Sequence, residues 1–192
     1  MARTQAADYD EKRGAITRGA AKLFARSGFS GASLADLAAL CDVSKSLIYH
    51  YYPSKEAILF EVMNEHLDAL LAATSSVEAG PEAELAAFTR ALLRVYADAA
   101  DPQKVLLYEL DVLPPAERAA IVDKQRRLIE RVEAIVIRAA PAIARDRALL
   151  RAKTMLYFGM LNWTHSWFRA TGRISREGLA DLAAGMLLKS LA

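Results

Sequence analysis

Twelve consecutive residues, Ser44-Lys45-Ser46-Leu47-Ile48-Tyr49-His50-Tyr51-Tyr52-Pro53-Ser54-Lys55, concentrate the groups best suited to hold another molecule. At helical spacing Leu47, Ile48 and Tyr51 can pack inward. Ser44, Lys45, Ser46, Tyr49 and His50 are then free to face outward. Lysine and tyrosine donate to phosphate oxygens, and tyrosine and histidine also reach base edges or thymine methyl groups. Lys55 falls in the first turn of the next helix, where a cation opposes the helix dipole. A phosphate bound at that helix start would explain it. Singly, each residue is ordinary surface chemistry or a cap; the cluster carries the argument.

Catalytic patterns are missing by comparison. The three histidines stand at 50, 66 and 165, and no Glu-x-x-His, His-Glu-x-x-His, P-loop or Gly-x-Gly-x-x-Gly occurs. Glu61 and Glu65 share a helix face, which reads best as solvated or salt-bridged. Cys41 is the only cysteine, so an internal disulfide and a cysteine-based zinc site are excluded. It lies in an apolar stripe and reads as core rather than nucleophile. No enzyme activity and no cofactor are expected.

The elements that must position the cluster are helices. The 192 residues are 54% hydrophobic and 25% charged, enough for a sizeable core, with only nine Gly and six Pro to interrupt helix. Ile16, Ala20, Leu23 and Phe24 line one face of a first helix over 10–26, ended by Gly28. Ser33 and Asp36 form a capping-box pair for a short second helix. A tight break at Asp42-Val43 and a cap at Ser44 start a third, through about Tyr51. Ser54 can cap a long helix over 55–74. Two short helices separated by a few residues are a helix-turn-helix arrangement. Further helices are expected over 82–99, 103–112, 116–139, 146–169 and 175–191, with breaks at Gly80-Pro81, Asp101-Pro102, Pro114-Pro115, Pro141 and Thr171-Gly172. The fold class is all-α, with about nine helices and no convincing strand. Residues 1–55 hold 8 Lys/Arg against 5 Asp/Glu, whereas residues 56–192 hold 17 against 18. A basic head on a neutral body suggests a polyanion partner. The longest apolar run, 154–163, is about half a membrane span, and no leader segment is visible. A soluble, cytoplasmic protein without a membrane partner is expected.

The segment over about 16–60 resembles the TetR family of one-component bacterial transcriptional regulators. The resemblance rests on Ala20-Ala21-Lys22-Leu23-Phe24, Gly28-Phe29, Ala32-Ser33-Leu34, Leu37-Ala38, Val43-Ser44-Lys45 and Ile48-Tyr49-His50-Tyr51-Tyr52-Pro53-Ser54-Lys55-Glu56. Tyr52 stands where the family usually has Phe. Asp42 replaces the usual turn glycine, and Leu47 a small hydroxyl residue, so Leu47 is assigned no contact. The resemblance implies a DNA-binding domain over 1–55 and an effector-binding, dimerising domain over 56–192. It implies phosphate contacts from Ser33 and Lys55, and recognition-helix roles for Ser44, Lys45, Ser46, Tyr49 and His50. Arg3, Lys12 and Arg13 are weaker candidates for following the DNA backbone. The implied partners are a palindromic double-stranded operator, a second copy of the chain and a small-molecule effector. Repression with ligand-induced release is the default. A ligand-dependent activator and a protein-interaction module without DNA binding are the alternatives.

In the body, residues 148–168 are apolar around nearly the whole helix, which demands burial on several sides. One side suits the core and another a second subunit. Leu156, Met160, Trp167, Leu182 and Met186 are the expected dimer contacts, in line with the family's pairing of its last two helices. Aromatic walls for an effector come from Tyr96, Tyr108, Tyr157, Phe158 and Trp163, and polar anchors from His66, Arg94, Asn162 and His165. Aromatics at helical spacing are more often core than pocket wall. Their apolar character favours a large apolar effector such as a fatty or aromatic acyl thioester.

Overall fold

Helix boundaries in the head are set by side chains a few residues away. The computed structural model describes residues 2–76 and 80–191, with side chains from residue 9 onward, so the side chain of Arg3 lies outside the described residues. The first helix, α1 (Ala2–Gly31), is interrupted at Gly28, whose φ of 70° is open to glycine at little cost. The expected stop is therefore a kink, and a last helical turn follows it. The second helix, α2 (Leu34–Cys41), starts in the expected capping box. Ser33 Oγ accepts from the Asp36 amide at 3.0 Å, and the Asp36 carboxylate accepts from the Ser33 amide at 3.2 Å. These bonds hold the Asp36 carboxyl below its ordinary pKa. Asp42 closes α2 in the left-handed region at φ 53°, ψ 46°, a conformation aspartate tolerates.

The third helix, α3 (Lys45–Tyr51), is capped by Ser44 Oγ, which accepts from the Leu47 amide at 3.1 Å. Pro53 separates it from α4 (Lys55–Ala73), where Ser54 Oγ accepts from the Ala57 amide at 3.0 Å. The remaining helices are α5 (Pro81–Asp98), α6 (Ala100–Tyr108), α7 (Pro115–Ala139), α8 (Arg147–Trp167) and α9 (Arg176–Lys189). Short 3-10 turns cover Leu110–Val112 and Pro141–Arg145. The described residues thus form nine α-helices and no strand. The break expected at Asp101-Pro102 falls instead at Ala99, with φ −127° and ψ 50°. Pro102 sits in the first turn of α6, where a missing N–H costs nothing. The single helix expected over 103–112 stops at Tyr108 and gives way to a 3-10 turn.

Two compact units emerge. The first joins Met1–His66 to Asp101–Ile121; the second joins Leu67–Ala100 to Val122–Ala192. In the first, Ile16, Phe24, Leu37, Ile48, Ile58 and Leu59 form a core exposed by no more than 2% each. The α1–α2 contact is close at Gly19, where an added Cβ would lie 2.5 Å from Cys41 Sγ. Burial pushes the Cys41 thiol up, away from thiolate chemistry. Arg13 joins α1 to α4 by a 2.7 Å ion pair with Glu61, so that acidic face is salt-bridged as expected. Tyr52 adds a buried 2.8 Å bond between its hydroxyl and Thr17 Oγ1, a contact phenylalanine would lack.

In the second unit α5 packs along α9, and Arg90 pairs with Asp181 at 2.7 Å across them. The Tyr157 hydroxyl of α8 lies 2.6 Å from Thr89 Oγ1 on α5. Buried Glu84 is paired with Arg138 of α7.

Candidate nucleic-acid interface

The short third helix is mounted from within and open without. Ile48 is fully buried and anchors it, while Leu47 and Tyr51 are half-buried. Ser44, Lys45, Ser46, Tyr49 and His50 are all exposed, Tyr49 by 50%. The inward and outward sets are those expected from helical spacing. Lys45 Nζ lies 5.9 Å from the centre of the Tyr49 ring. Tyr9 from α1 packs 4.6 Å from the Tyr51 ring and 6.3 Å from His50, which buttresses the end of α3. An exposed row of hydroxyl, ammonium, phenol and imidazole groups on a helix fixed by one buried isoleucine suits a groove lined by phosphates and base edges.

Other residues implied as DNA contacts are engaged internally. Ser33 is exposed, but its hydroxyl donates to Asp36 at 2.6 Å while accepting the cap bond. Arg13 is held by Glu61, and Lys12 is exposed. The Lys55 ammonium donates to the carbonyl oxygens of Phe29 and Ala32, each at 2.8 Å. That arrangement departs from a lysine reaching outward to a phosphate.

The expected effector residues divide between the units. His66 and Tyr108 belong to the first and the other seven to the second. Tyr108 is 58% exposed and lines a cleft of about 170 Å³ with Phe24, Arg26, Lys104 and Glu109. His66 is 3% exposed, and its Nε2–H donates to Gln103 Oε1 at 2.7 Å. In the second unit Tyr157 and Phe158 are buried, and their rings meet edge to face at 5.4 Å. Burial pushes the Tyr157 hydroxyl up. Tyr96 donates to Asn162 Oδ1 at 2.8 Å, and the exposed His165 Nδ1–H donates to the Asn162 carbonyl at 2.6 Å. Arg94 is exposed. Trp163 is 62% exposed and lines a groove along α8 and α9 rather than an enclosed cavity.

One residue escaped the sequence reading. Thr154 on α8 is fully buried, and its hydroxyl has no hydrogen-bond partner among the described residues. Threonine on an apolar stripe ordinarily bonds back to its own helix, as Thr89 does to Leu85 at 2.6 Å. Its spacing with Leu150, Tyr157, Phe158 and Leu161 was the available signal.

The expected dimer residues all reach the surface. Leu156 is 70% exposed, Leu182 52%, Trp167 and Met186 51% each, and Met160 37%. Met160, Trp163, Trp167, Leu182 and Met186 line a groove of about 270 Å³ along α8 and α9.

His66 carries a testable pH dependence. Burial lowers its pKa from the ordinary 6.5. The unfolded chain then binds the proton more readily than the fold. The stability that neutral His66 supports is complete above pH 6.5 and is lost as pH falls through the depressed folded value. Thermal unfolding should therefore show a falling Tm between pH 7 and pH 5, and His66→Gln should flatten that decline. An identical decline in the variant would assign it to other groups.

No helix among the described residues is long and apolar enough to cross a membrane, and no cluster of three metal-ligating side chains occurs among them. Residues 16–62 match the family model for bacterial regulatory proteins of the tetR family, and residues 78–191 that for the tetracyclin repressor-like C-terminal domain. The HTH-type transcriptional regulator RutR of Escherichia coli (strain K12) is 28% identical over 127 residues, covering 65% of this chain. The chain spans 30% to 60% of the length of the first curated relatives it matches. A TetR-family transcriptional regulator from Bordetella parapertussis 12822 superposes with a TM-score of 0.85 at 38% identity, covering 92% of this chain and 93% of that one. AibR, solved with isovaleryl coenzyme A and operator DNA, gives 0.79 at 26% identity, covering 92% and 98%. The chain belongs to the TetR family of transcriptional regulators, which bind DNA through a helix-turn-helix and are not enzymes.

Proposed function

We propose that the protein is a cytoplasmic homodimeric repressor that binds a palindromic operator and leaves it when an acyl thioester occupies the body. Residues 1–55 supply the DNA-binding part; residues 56–192 supply effector binding and dimerisation. The observation that carries the reading is α3: five polar side chains exposed on a helix whose one buried residue is Ile48. Ser44, Lys45, Ser46, Tyr49 and His50 are the proposed contacts, with Ser33 at the start of α2. The exposed apolar face of α8 and α9 supports two-fold pairing, and a two-fold dimer presents two recognition helices to successive major grooves. AibR's complex with isovaleryl coenzyme A and operator DNA supports the thioester class.

Release works by population shift. The dimer samples head spacings that fit or miss the operator, and the effector must prefer the spacing that misses. The test is selection of bound duplexes from a random pool, followed by affinity at two salt concentrations with and without isovaleryl coenzyme A. A palindrome, a steep salt dependence and weaker binding with the thioester are expected. Tighter binding with the thioester would make the protein a co-effector-dependent binder. Absence of any enriched sequence would sink the operator reading.

The effector reading assigns Thr154 a polar contact to the bound molecule, because a buried hydroxyl without a partner costs about 1–3 kcal/mol. Thr154→Val keeps the shape and removes the hydroxyl. It should raise the Tm of the ligand-free protein by a few degrees, by the usual conversion for a chain of this size, and weaken thioester binding. A lowered Tm would mean that the hydroxyl serves the fold instead.

A further inference from the structure

Lys55 opens α4, but its ammonium is directed back into the head. Nζ donates to the Phe29 and Ala32 carbonyls at 2.8 Å each and lies 4.1 Å from the centre of the Phe29 ring. Phe29 is itself buried, with its ring 5.5 Å from that of Phe24 in the core. The two carbonyls belong to the end of α1 and the corner beyond it. The Phe29 carbonyl also accepts from the Ala32 amide at 3.2 Å, but carbonyls at a helix end have lone pairs to spare and favour a cation. A cation suits that place better than it suits the start of α4. The next residue, Ser33, caps α2. One ammonium therefore ties the end of α1, the corner into α2 and the first turn of α4.

An ammonium has three N–H donors. Two are taken by carbonyls, and the phenyl face occupies another side. Swinging Nζ out to a phosphate would strand the part-buried Ala32 carbonyl, leave that of Phe29 with only the Ala32 amide at 3.2 Å, and break the cation–ring contact.

We propose that Lys55 is a positioning residue for operator binding. It sets the α1–α2 corner, and through α2 the pose of α3, while its charge stays within the protein. This rests on operator binding by α3, and a wild-type protein that binds no duplex would remove that reading first.

The salt dependence of affinity separates positioning from phosphate contact. Each phosphate neutralised contributes about 0.9 to the slope of log affinity against log salt. The operator duplex recovered by selection is titrated with wild type, Lys55→Met and Phe29→Leu, at a temperature where circular dichroism shows all three folded. Lys55→Met should weaken operator binding by about tenfold or more, leave the slope unchanged and leave binding to random duplex nearly unaltered. Phe29→Leu removes the ring beneath the ammonium and no charge; it should weaken operator binding in the same way. A slope lowered by about two for a dimer carrying Lys55→Met, with Phe29→Leu at wild-type affinity, would make Lys55 a phosphate contact and overturn the proposal. Unchanged affinity in both variants would overturn it too. Should Lys55→Met fail to fold, nitrogen-15 spectra of the wild type decide. A slowly exchanging Lys55 ammonium signal, present in the free protein and unmoved by operator, supports the clamp. A signal that shifts on operator binding refutes it.

Discussion

Leu182→Glu should halve the protein's mass in solution, leave its helices intact and cut operator affinity by about a hundredfold or more, the gain that linking two sites ordinarily gives. Leu182 is 52% exposed on α9, beside Met186 and across the groove from Met160, Trp163 and Trp167. In the isolated chain a glutamate there stays in water and disturbs nothing: the neighbouring core residues Leu179 and Ala183 are untouched. In a two-fold interface the change enters twice, because the same patch faces itself. Each copy would bury a carboxylate among aromatic and thioether side chains with no partner cation, which is costly. Sedimentation at micromolar concentration checks the mass, and circular dichroism checks the fold. Leu182→Met should behave as wild type. A Leu182→Glu protein that remains dimeric would show that this face is not the interface. A monomer with unchanged operator affinity would show that one head suffices.

The head was legible because its signals are local. Ser33, Ser44 and Ser54 each cap the helix that follows within three residues, and Asp42 takes the left-handed turn in the glycine's place. Chain breaks were less legible where their meaning depends on position: Pro102 reads as a stop but is harmless in a first turn. Lys55 illustrates a different limit. Residue type and motif point outward to phosphate, yet the carbonyls it bonds are 23 and 26 residues earlier in the chain. No spacing rule reaches that far. The body failed by ambiguity. On a helix apolar all round, type does not separate Tyr157, fully buried, from Trp163, 62% exposed. Period does: Leu150, Thr154, Tyr157, Phe158 and Leu161 make the buried stripe, and Thr154 was passed over because a polar residue was not expected within it.

Tyr49→Ala and Lys45→Ala should damage operator binding in two distinguishable ways. Both side chains are exposed on α3, and the ammonium sits 5.9 Å from the phenol ring. Tyr49 brings a flat apolar ring for a thymine methyl and a hydroxyl for a base edge. Its truncation removes contacts worth about 1–3 kcal/mol per half-site. Doubled by two-fold symmetry, the loss is about 30-fold to 10⁴-fold, confined to duplexes that carry the preferred bases. Lys45 brings a charge that any phosphate can use. Its removal should weaken binding to every duplex and lower the salt slope by about two per dimer. The pair should also couple. An exposed cation–ring contact is worth about 0.5–1 kcal/mol, so each residue helps hold the other, and the double variant should lose less than the two single losses combined. Repeating the duplex selection with each variant supplies the check. Tyr49→Ala should broaden the selected motif at one symmetric pair of positions, while Lys45→Ala should return the wild-type motif at lower affinity. An unchanged motif and affinity for Tyr49→Ala would mean that the bases are read elsewhere on α3, with Ser46 and His50 the exposed side chains left to read them.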